Sequence, residues 1–312
     1  MSARRLAFER FPGMASDLAL CDCTTWRVGG PAVALRPGSR GELADALGVL
    51  GDEGVPWFVL GRGSNVLAPD SGYDGVVIIL SGVLAGVAWQ RSDSGFAVDA
   101  GAAAPLPPLA GAACMKGAGG LAFAAGIPGT VGGAACMNAG AYGSSLSGLV
   151  ESVEAVGPGG TVRIFPACEC RFGYRSSSFQ AGGWVVSGVR LSLPAADPAL
   201  LRAEAADHLR RRRETLPLDM PNAGSVFKRP PDDKPPGRLI EEAGLKGLSC
   251  GGAMVSRKHA NFIVNTGEAA SADIVRLIEI IRERVEAASG TTLVEEIVYM
   301  GGRDLCAREG AR

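Results

Sequence analysis

Three short segments of the sequence place a side chain that binds anions or transfers a proton among small neighbours. They are Tyr174-Arg175-Ser176-Ser177, Asn222-Ala223-Gly224-Ser225 and Lys258-His259-Ala260-Asn261. The guanidinium of Arg175 can bind a carboxylate through two parallel hydrogen bonds. The hydroxyl of Ser225, in a sheltered loop, can deliver a proton to a carbanion that develops beside it. These residue types therefore point to carboxylate binding and proton transfer.

Two adjacent carboxylates, Glu295 and Glu296, interrupt an apolar strand that we predict over Leu293 to Met300. Because side chains alternate along a strand, one of the two must face inward, where it needs a partner such as Arg175. An edge strand with both carboxylates in solvent explains the same residues. The residues alone leave both interpretations open.

Histidine and cysteine usage argues against histidine-centred or metal chemistry. The chain has only two histidines, His208 and His259, too few to suggest a histidine-based hydrolase or metal site. Eight cysteines include C-x-C pairs at 21–23 and 168–170, whereas zinc sites usually use C-x₂₋₄-C spacing. We therefore expect reduced thiols that act as small core residues, and no metal.

A stretch from Gly117 to Gly143 is dense in glycine and alanine and carries almost no charge. The chain has 45 glycines in 312 residues, about twice the average usage. Small residues let backbone N–H groups approach a planar or phosphorylated ligand closely. A cofactor cradle therefore fits this stretch, and a tight turn under a sheet fits it equally well.

A second glycine segment, Gly61-Arg62-Gly63-Ser64-Asn65, follows a strand predicted over Val55 to Leu60. Its successive N–H groups can form an anion nest, to which Ser64 and Asn65 add side-chain donors. The segment lacks the Gly-Lys-Ser/Thr ending of a P-loop and the third glycine of a dinucleotide fingerprint. A glycine-containing hairpin is the alternative.

Hydrophobic periodicity predicts an α+β fold. The predicted helices are Glu42 to Leu50, Leu106 to Lys116, Ala199 to Glu214, Arg238 to Ala243 and Ser271 to Ser289. The other predicted strands are Ala32 to Leu35, Val76 to Leu80, Val87 to Gln90, Phe96 to Ala100, Val150 to Val156, Val162 to Phe165, Trp184 to Leu193, Met254 to Val255 and Phe262 to Val264. Ser271 is the predicted cap of the last helix, whose predicted buried stripe is Ile274, Leu277, Ile278, Ile281 and Val285. The predicted stripe of the first helix is Leu43, Ala46, Leu47 and Leu50. The strands at 87–90 and 96–100 are predicted to form a hairpin. Arg210 to Arg213 suits either phosphate binding or a solvated helix end.

Bulk composition indicates an ordinary globular enzyme of two or more domains. Hydrophobic residues make up 47% of the chain, and the net charge of −1 gives no support to a nucleic-acid partner. The longest aliphatic run, Val76 to Leu80, is too short to cross a bilayer. We therefore expect a cytoplasmic protein with no membrane or nucleic-acid partner.

Seven motifs, taken in order, resemble one family, the UDP-N-acetylenolpyruvoylglucosamine reductases of bacterial peptidoglycan (cell wall) synthesis, or MurB family. The motifs are Thr25 to Pro31, Leu60 to Leu67, Ala125 to Gly133 with Met137 to Gly143, Phe172 to Ser177, Asn222 to Lys228, Gly237 to Gly247 and Gly251 to Asn265. No long insertion follows Tyr174-Arg175, as in the shorter, type II branch of the family.

The resemblance implies an FAD-binding module of the PCMH or vanillyl-alcohol-oxidase type, made of two subdomains, plus a C-terminal α+β substrate-binding domain. The expected boundaries are 1–82, 83–197 and 198–312. The implied enzyme is an NADPH-dependent oxidoreductase with non-covalent FAD. It reduces an enolpyruvyl UDP-sugar to UDP-N-acetylmuramate, and we expect a monomer.

Motif by motif, the resemblance also assigns residues. It makes Ser225 the proton donor, while Arg175 and Glu296 stabilise the substrate carboxylate. Expected FAD contacts are Gly61, Arg62, Gly63, Ser64, Asn65, Gly126, Ile127, Pro128, Gly129, Thr130, Gly132, Gly133, Asn138, Ala139 and Gly140. Expected substrate contacts are Tyr174, Asn222, Lys228, Arg229, Lys258 and Asn261.

Two alternatives accompany this interpretation. One is an FAD-dependent carbohydrate oxidase of the same fold, and the other is a UDP-sugar-binding module without catalysis. The sequence also departs from the family pattern at Arg62, where glycine is common, and at Leu216, where glutamine is common. These departures affect local contacts of the loops.

Overall fold

A computed structural model describes residues 2–231 and 234–307. The α-helices are α1 (Ala3–Arg10), α2 (Arg40–Asp52), α3 (Leu106–Lys116), α4 (Val131–Met137), α5 (Pro198–Thr215), α6 (Pro236–Glu242), α7 (Ser271–Ser289) and α8 (Arg303–Ala307). The strands of the first half are β1 (Ala15–Ala19), β2 (Pro31–Leu35), β3 (Trp57–Val59), β4 (Val66–Leu67), β5 (Val76–Ile78), β6 (Val87–Ser92), β7 (Gly95–Gly101), β8 (Gly140–Ala141) and β9 (Ser144–Ser145). Those of the second half are β10 (Val150–Val156), β11 (Val162–Pro166), β12 (Val185–Pro194), β13 (Ser249–Cys250), β14 (Ala253–Val255), β15 (Ile263–Asn265) and β16 (Val298–Tyr299).

The chain forms two compact units, each assembled from separate segments. Unit 1 contains residues 1–15, 34–61 and 76–212. Unit 2 contains residues 16–33, 62–75 and 213–312. The glycine segment that begins at Gly61 therefore starts in one unit and continues in the other.

A five-stranded antiparallel sheet, in the order β11-β10-β12-β7-β6, dominates unit 1. Its central strand β12 places Val189 opposite Val153 on one side and opposite Ala100 on the other. These residues join one apolar core with α3 and α4. The predicted hairpin of Val87 to Gln90 with Phe96 to Ala100 is confirmed.

Unit 1 also contains the short parallel pair β3–β5, with Phe58 opposite Val77. Helix α2 begins after Ser39, whose hydroxyl accepts a hydrogen bond from the Glu42 N–H at 3.2 Å. Its predicted apolar stripe is confirmed, since Leu43, Ala46, Leu47 and Leu50 are all buried. The α2 helix thus forms because one face is apolar and its start is capped.

Within the glycine-rich stretch, α3 ends at Gly117 with a left-handed φ of 75°. The stretch also contains a helix that periodicity did not predict, α4, which starts after Thr130. The Thr130 hydroxyl accepts a hydrogen bond from the Gly133 N–H at 3.3 Å, and Asn138 ends the helix at a φ of 43°. Small residues here allow Gly132 to pack so closely that an added Cβ would lie 2.7 Å from that of Ala102.

Unit 2 is built on α7, which packs with the β13-β14-β15 sheet around an apolar core. The predicted stripe is confirmed, because Ile274, Leu277, Ile278, Ile281 and Val285 are buried. The predicted cap is wrong. The N-cap residue is Ala270, and the Asp273 carboxylate accepts its N–H at 2.9 Å. Ser271 is buried inside the helix and donates its hydroxyl to Asp70 at 2.9 Å.

The strand predicted over Leu293 to Met300 is shorter in the structure. Only β16 forms a ladder, in parallel with β4, and it places Val298 opposite Val66. Upstream, Glu295 makes a single antiparallel bridge with Phe227. The segment is divided because it pairs with two different parts of unit 2. None of the helices in residues 2–231 and 234–307 combines the length and apolarity that a bilayer crossing requires.

Candidate active site

Gly61, the first residue of one glycine segment, lies against the other glycine segment within unit 1. A Cβ added to Gly61 would lie 3.0 Å from the Thr130 hydroxyl oxygen. In the described part of the chain, the N–H groups of Gly61, Arg62 and Gly63 donate to no residue, and neither do those of Gly129 and Thr130. Unused N–H groups on glycine-rich loops suit the phosphates of a dinucleotide cofactor.

Gly63 and Gly129 have backbone angles that favour glycine, with φ of 61° and 154°. At Gly63 the approach to the neighbouring chain is also tight, because a Cβ would lie 2.1 Å from the Cys23 carbonyl oxygen. The Thr25 N–H donates to the Gly63 carbonyl at 3.1 Å. This glycine is therefore required by packing inside unit 2.

Arg175 lies on a tight turn in which Gly173 and Ser176 exchange main-chain hydrogen bonds of 3.0 and 3.3 Å. The Asn138 side chain ties this turn to the glycine-rich stretch by donating to the Gly173 carbonyl at 2.8 Å. Arg175 itself donates to the Gly140 carbonyl at 2.7 Å. The structure thus joins two regions that the sequence singled out separately.

The backbone of Arg175 is left-handed, with a φ of 52°. A non-glycine residue adopts this conformation at some energetic cost, and such residues concentrate at functional sites. The guanidinium also lies 5.3 Å from the ring centroid of Tyr174, which is 58% exposed. Both side chains are therefore held at the surface of unit 1 by a constrained turn.

Ser225 follows a loop that the Asn222 side chain organises. The Asn222 amide nitrogen donates to the carbonyls of Pro217 and Met220, at 3.0 and 2.8 Å, and its oxygen accepts the Gly224 N–H at 3.0 Å. Gly224 has a φ of 78°. Among the described residues of unit 2, no group hydrogen-bonds to the half-buried Ser225 hydroxyl. That hydroxyl is available to a ligand.

Glu296 lies beside Ser225 through main-chain pairing. Its N–H donates to the carbonyl of Val226 at 2.7 Å, and the Lys228 N–H donates to the Val294 carbonyl at 2.8 Å. The adjacent carboxylate, Glu295, forms ion pairs and a hydrogen bond inside unit 2. Its partners are Arg282 at 3.4 Å, Arg303 at 3.6 Å and the hydroxyl of Tyr299. The structure therefore distinguishes the two carboxylates, which sequence alternation did not.

Two predicted ligand-binding asparagines use their side chains on the backbone. Asn65 donates to the Glu296 carbonyl at 3.1 Å. Asn261 is 5% exposed, accepts the Phe227 N–H at 3.0 Å and donates to the Phe227 carbonyl at 2.9 Å. Their contacts with FAD and substrate stay predictions. In the structure, both side chains bond to the backbone of unit 2.

The basic residues predicted to bind substrate are spread along unit 2. Lys228 is half-buried, whereas Arg229 and Lys258 are exposed. The Lys258 ammonium donates to the Arg213 carbonyl near the end of α5, at 2.5 Å. A lysine there satisfies a terminal helix carbonyl and opposes the negative end of the helix dipole.

The side chains of the arginine run at the end of α5 lie in different environments. Arg210 and Arg211 are exposed and pair with Asp207 at 2.5 and 2.7 Å. Arg212 instead packs on the glycine-rich stretch, because a Cβ on Gly126 would lie 2.5 Å from its Cδ. Burial lowers the pKa of Arg212, and the nearby Tyr142 offsets part of this decrease. The sequence showed a charged run but not which member turned inward.

No group of three or more metal-binding side chains occurs in the described ranges, 2–231 and 234–307. The cysteines there are free thiols. Burial raises the pKa of Cys136 and Cys170 to about 11, whereas Cys168 is exposed. The thiols of the C-x-C pair at 168–170 therefore lie in different environments.

Comparisons with known proteins define first the class of this protein. Residues 31–165 match the model of an FAD binding domain, so the chain is an FAD-binding oxidoreductase with a mixed α+β fold. Residues 216–300 match the C-terminal domain of UDP-N-acetylenolpyruvoylglucosamine reductase.

Individual relatives define the family. The chain is 44% identical over 280 residues to UDP-N-acetylenolpyruvoylglucosamine reductase 2 of Symbiobacterium thermophilum, covering 89% of each chain. It is 42% identical to the reductase of Caldanaerobacter subterraneus, covering 89% of this chain and 90% of that protein. The crystal structure of the Thermus caldophilus reductase (MurB) superposes with a TM-score of 0.77 at 35% identity, covering 91% and 98% of the two chains. The chain belongs to the UDP-N-acetylenolpyruvoylglucosamine reductase (MurB) family.

Proposed function

We propose that this protein reduces the enolpyruvyl group of a UDP-N-acetylglucosamine derivative to the lactyl group of UDP-N-acetylmuramate, a step of peptidoglycan synthesis. The observation that carries the assignment of roles is the main-chain bond between Glu296 and Val226. It places a carboxylate-bearing residue next to the residue that follows Ser225, whose hydroxyl is not used within unit 2.

In this reaction FAD, when bound, supplies the hydride that it has taken from NADPH, and the hydride goes to the vinyl CH₂ carbon. Ser225 donates a proton from its hydroxyl to the neighbouring carbon, which completes the reduction. Arg175 and Glu296 stabilise the substrate carboxylate as charge develops on it. A fixed guanidinium suits this task because its position is set before the reaction by the constrained turn.

The glycine segments fit the cofactor. The unused N–H groups at 61 and at 129–130, all in unit 1, would hold the FAD diphosphate, and the uncharged segment Gly126 to Gly133 allows close approach of its rings. Asn138, Ala139 and Gly140 continue the same stretch toward Arg175. Lys228, Arg229 and Lys258 are proposed to serve the UDP diphosphate.

We also propose that the enzyme is a cytoplasmic monomer. Its proposed parts are two FAD-binding subdomains at 1–82 and 83–197 and a substrate-binding domain at 198–312. The compact units divide the chain differently, because Trp26, Val28 and Leu67 pack in the apolar core of unit 2. Sedimentation velocity of the FAD-loaded full chain tests the monomer.

An anaerobic titration of purified protein tests the activity. NADPH should bleach the flavin absorption, and the enolpyruvyl UDP-sugar should then restore it with formation of UDP-N-acetylmuramate. Oxygen uptake with a sugar alcohol and no response to NADPH would instead identify a carbohydrate oxidase. Tight UDP-sugar binding without any flavin signal would identify a binding module.

A further inference from the structure

Two asparagine side chains bond to the backbone next to Ser225 and at Glu296. The segment that follows Ser225 pairs on one side with residues 294–296, through the Glu296 N–H and the Lys228 N–H. On its other side, no strand within residues 2–231 and 234–307 pairs with it. A single buried residue, Asn261, takes the place of that strand.

Asn261 makes three bonds to two consecutive residues. Its main-chain carbonyl accepts the Val226 N–H at 2.9 Å. Its side-chain oxygen accepts the Phe227 N–H at 3.0 Å, and its side-chain nitrogen donates to the Phe227 carbonyl at 2.9 Å. The amide thereby reproduces the paired bonds of a β-ladder. Because Phe227 is 1% exposed, no water can replace these bonds without repacking the core.

Asn65 plays the matching part on the far side of Glu296. Its side-chain nitrogen donates to the Glu296 carbonyl at 3.1 Å, and its main-chain carbonyl accepts the Val298 N–H at 2.9 Å. The Glu296 N–H is already bound to Val226. Both polar groups of the Glu296 backbone are therefore fixed, which sets the direction in which its side chain leaves the main chain.

We infer that Asn65 and Asn261 are positioning residues for the reduction, which keep the Glu296 carboxylate and the Ser225 hydroxyl in register with each other. This inference rests on the proposed roles of Ser225 and Glu296. Misplacing a proton donor by about 1 Å can cost about 100-fold in rate. The two asparagines therefore matter most in the half-reaction that consumes the enolpyruvyl substrate.

The test separates the two half-reactions by stopped-flow absorption of the FAD-loaded enzyme. Asn65→Asp and Asn261→Asp keep the side-chain shape but remove the donated N–H. Reoxidation of the NADPH-reduced flavin by enolpyruvyl UDP-sugar should slow about 10- to 100-fold in each. Reoxidation should slow about 10-fold more than flavin reduction by NADPH does in the same FAD-saturated variant, because only reoxidation uses the Ser225 proton.

Asn265→Asp is the matched control. Asn265 is 4% exposed and donates its side-chain N–H to the Trp26 carbonyl at 2.9 Å, a bond of the same kind in the same unit. Its variant should lose stability like the others while the ratio of the two half-reaction rates stays at the wild-type value. Equal losses in both half-reactions, or the same ratio in control and test variants, would contradict the inference.

Two further outcomes keep the inference separate from the proposed function. If wild-type enzyme is reduced by NADPH but is not reoxidised by the substrate, the proposed function fails. If wild type turns over and Asn65→Asp instead loses its FAD, Asn65 is a cofactor ligand and the inference fails. Should either aspartate variant not fold, Asn65→Gln and Asn261→Gln, which retain the donor on a longer side chain, should show the same selective slowing to a smaller degree.

Discussion

The glycine-rich segments of unit 1 and the serine–glutamate region of unit 2 use their backbones in opposite ways. In unit 1, N–H groups around Gly61 and Gly129 bond to no described residue. In unit 2, the backbone around Val226 and Glu296 is bound by strands and by asparagine side chains. An exposed, unused backbone is suited to holding a ligand, whereas a fully bonded one is suited to aiming side chains.

The largest expected effect is loss of the proton donor, through Ser225→Ala. Reoxidation of the reduced flavin by the enolpyruvyl substrate should slow about 10²- to 10⁴-fold, the usual contribution of a general acid. Rapid-mixing absorption measures it. Flavin reduction by NADPH should be unchanged. Ser249→Ala, at an exposed serine of β13 in the same unit, is the control and should leave both rates unchanged. Equal reoxidation rates in Ser225→Ala and Ser249→Ala would show that Ser225 is not the proton donor.

A second prediction concerns the hydrogen bonds between Asp70 and Ser271 in unit 2. The Asp70 carboxylate accepts both the N–H and the hydroxyl of Ser271, at 2.6 and 2.9 Å. Asp70→Ala should lower the free energy of unfolding by about 2 kcal/mol, because hydrogen bonds to a charged group are lost. Ser271→Ala also removes the acceptor of the Asp70 N–H, at 3.3 Å, but it keeps the shorter bond from the Ser271 N–H to the carboxylate and should cost less. Urea unfolding measures both, and a larger loss in Ser271→Ala would contradict this account.

The third prediction tests the opposite behaviour of unit 1. Gly133 is exposed in α4, and an added Cβ would meet only the Thr130 hydroxyl, at 3.5 Å. Gly133→Ala should therefore leave the free energy of unfolding unchanged or raise it by up to about 1 kcal/mol, the difference in helix propensity between glycine and alanine. FAD affinity should fall about tenfold if the flavin lies on this face.

Gly48→Ala in α2 is the matched control, because a Cβ there has no neighbour within 4 Å. It should gain stability in the same way and keep full FAD affinity. Flavin fluorescence titration compares the two. Gly129→Val is a poorer test of the same point, because Gly129 has a φ of 154° and valine there would also strain the backbone.

The smallest expected effect is a pH dependence of unit 2. Burial, and then the charge of Lys246, lower the pKa of His259 below its ordinary value of 6.5. The folded protein therefore keeps this imidazole neutral where the unfolded chain binds a proton. Stability should fall as the pH drops below about 6.5, by at most about 1.4 kcal/mol per pH unit. Urea unfolding at pH 5 and 7 should show a smaller difference in His259→Gln than in wild type.

Sequence periodicity predicted the elements that carry a strong apolar pattern. Helix α7 has the predicted bounds and buried stripe, and α3 and β10 also have the predicted bounds. It failed where long-range contacts decide. Ser271 looks like a cap, but Asp70, about two hundred residues away in the chain, binds its hydroxyl and Asp273 serves the N-terminus instead.

The sequence by itself determined the family, because seven ordered motifs of glycines and polar residues are readable without coordinates. It also marked Arg175, Ser225 and Glu296 as candidates for chemistry. Only the tertiary structure showed that Arg282, Arg303 and Tyr299 bind Glu295 inside unit 2. Only it revealed that the side chains of Asn65 and Asn261 bind backbone. Residue type tells what a side chain can bond to, whereas folding decides which of those partners is within reach.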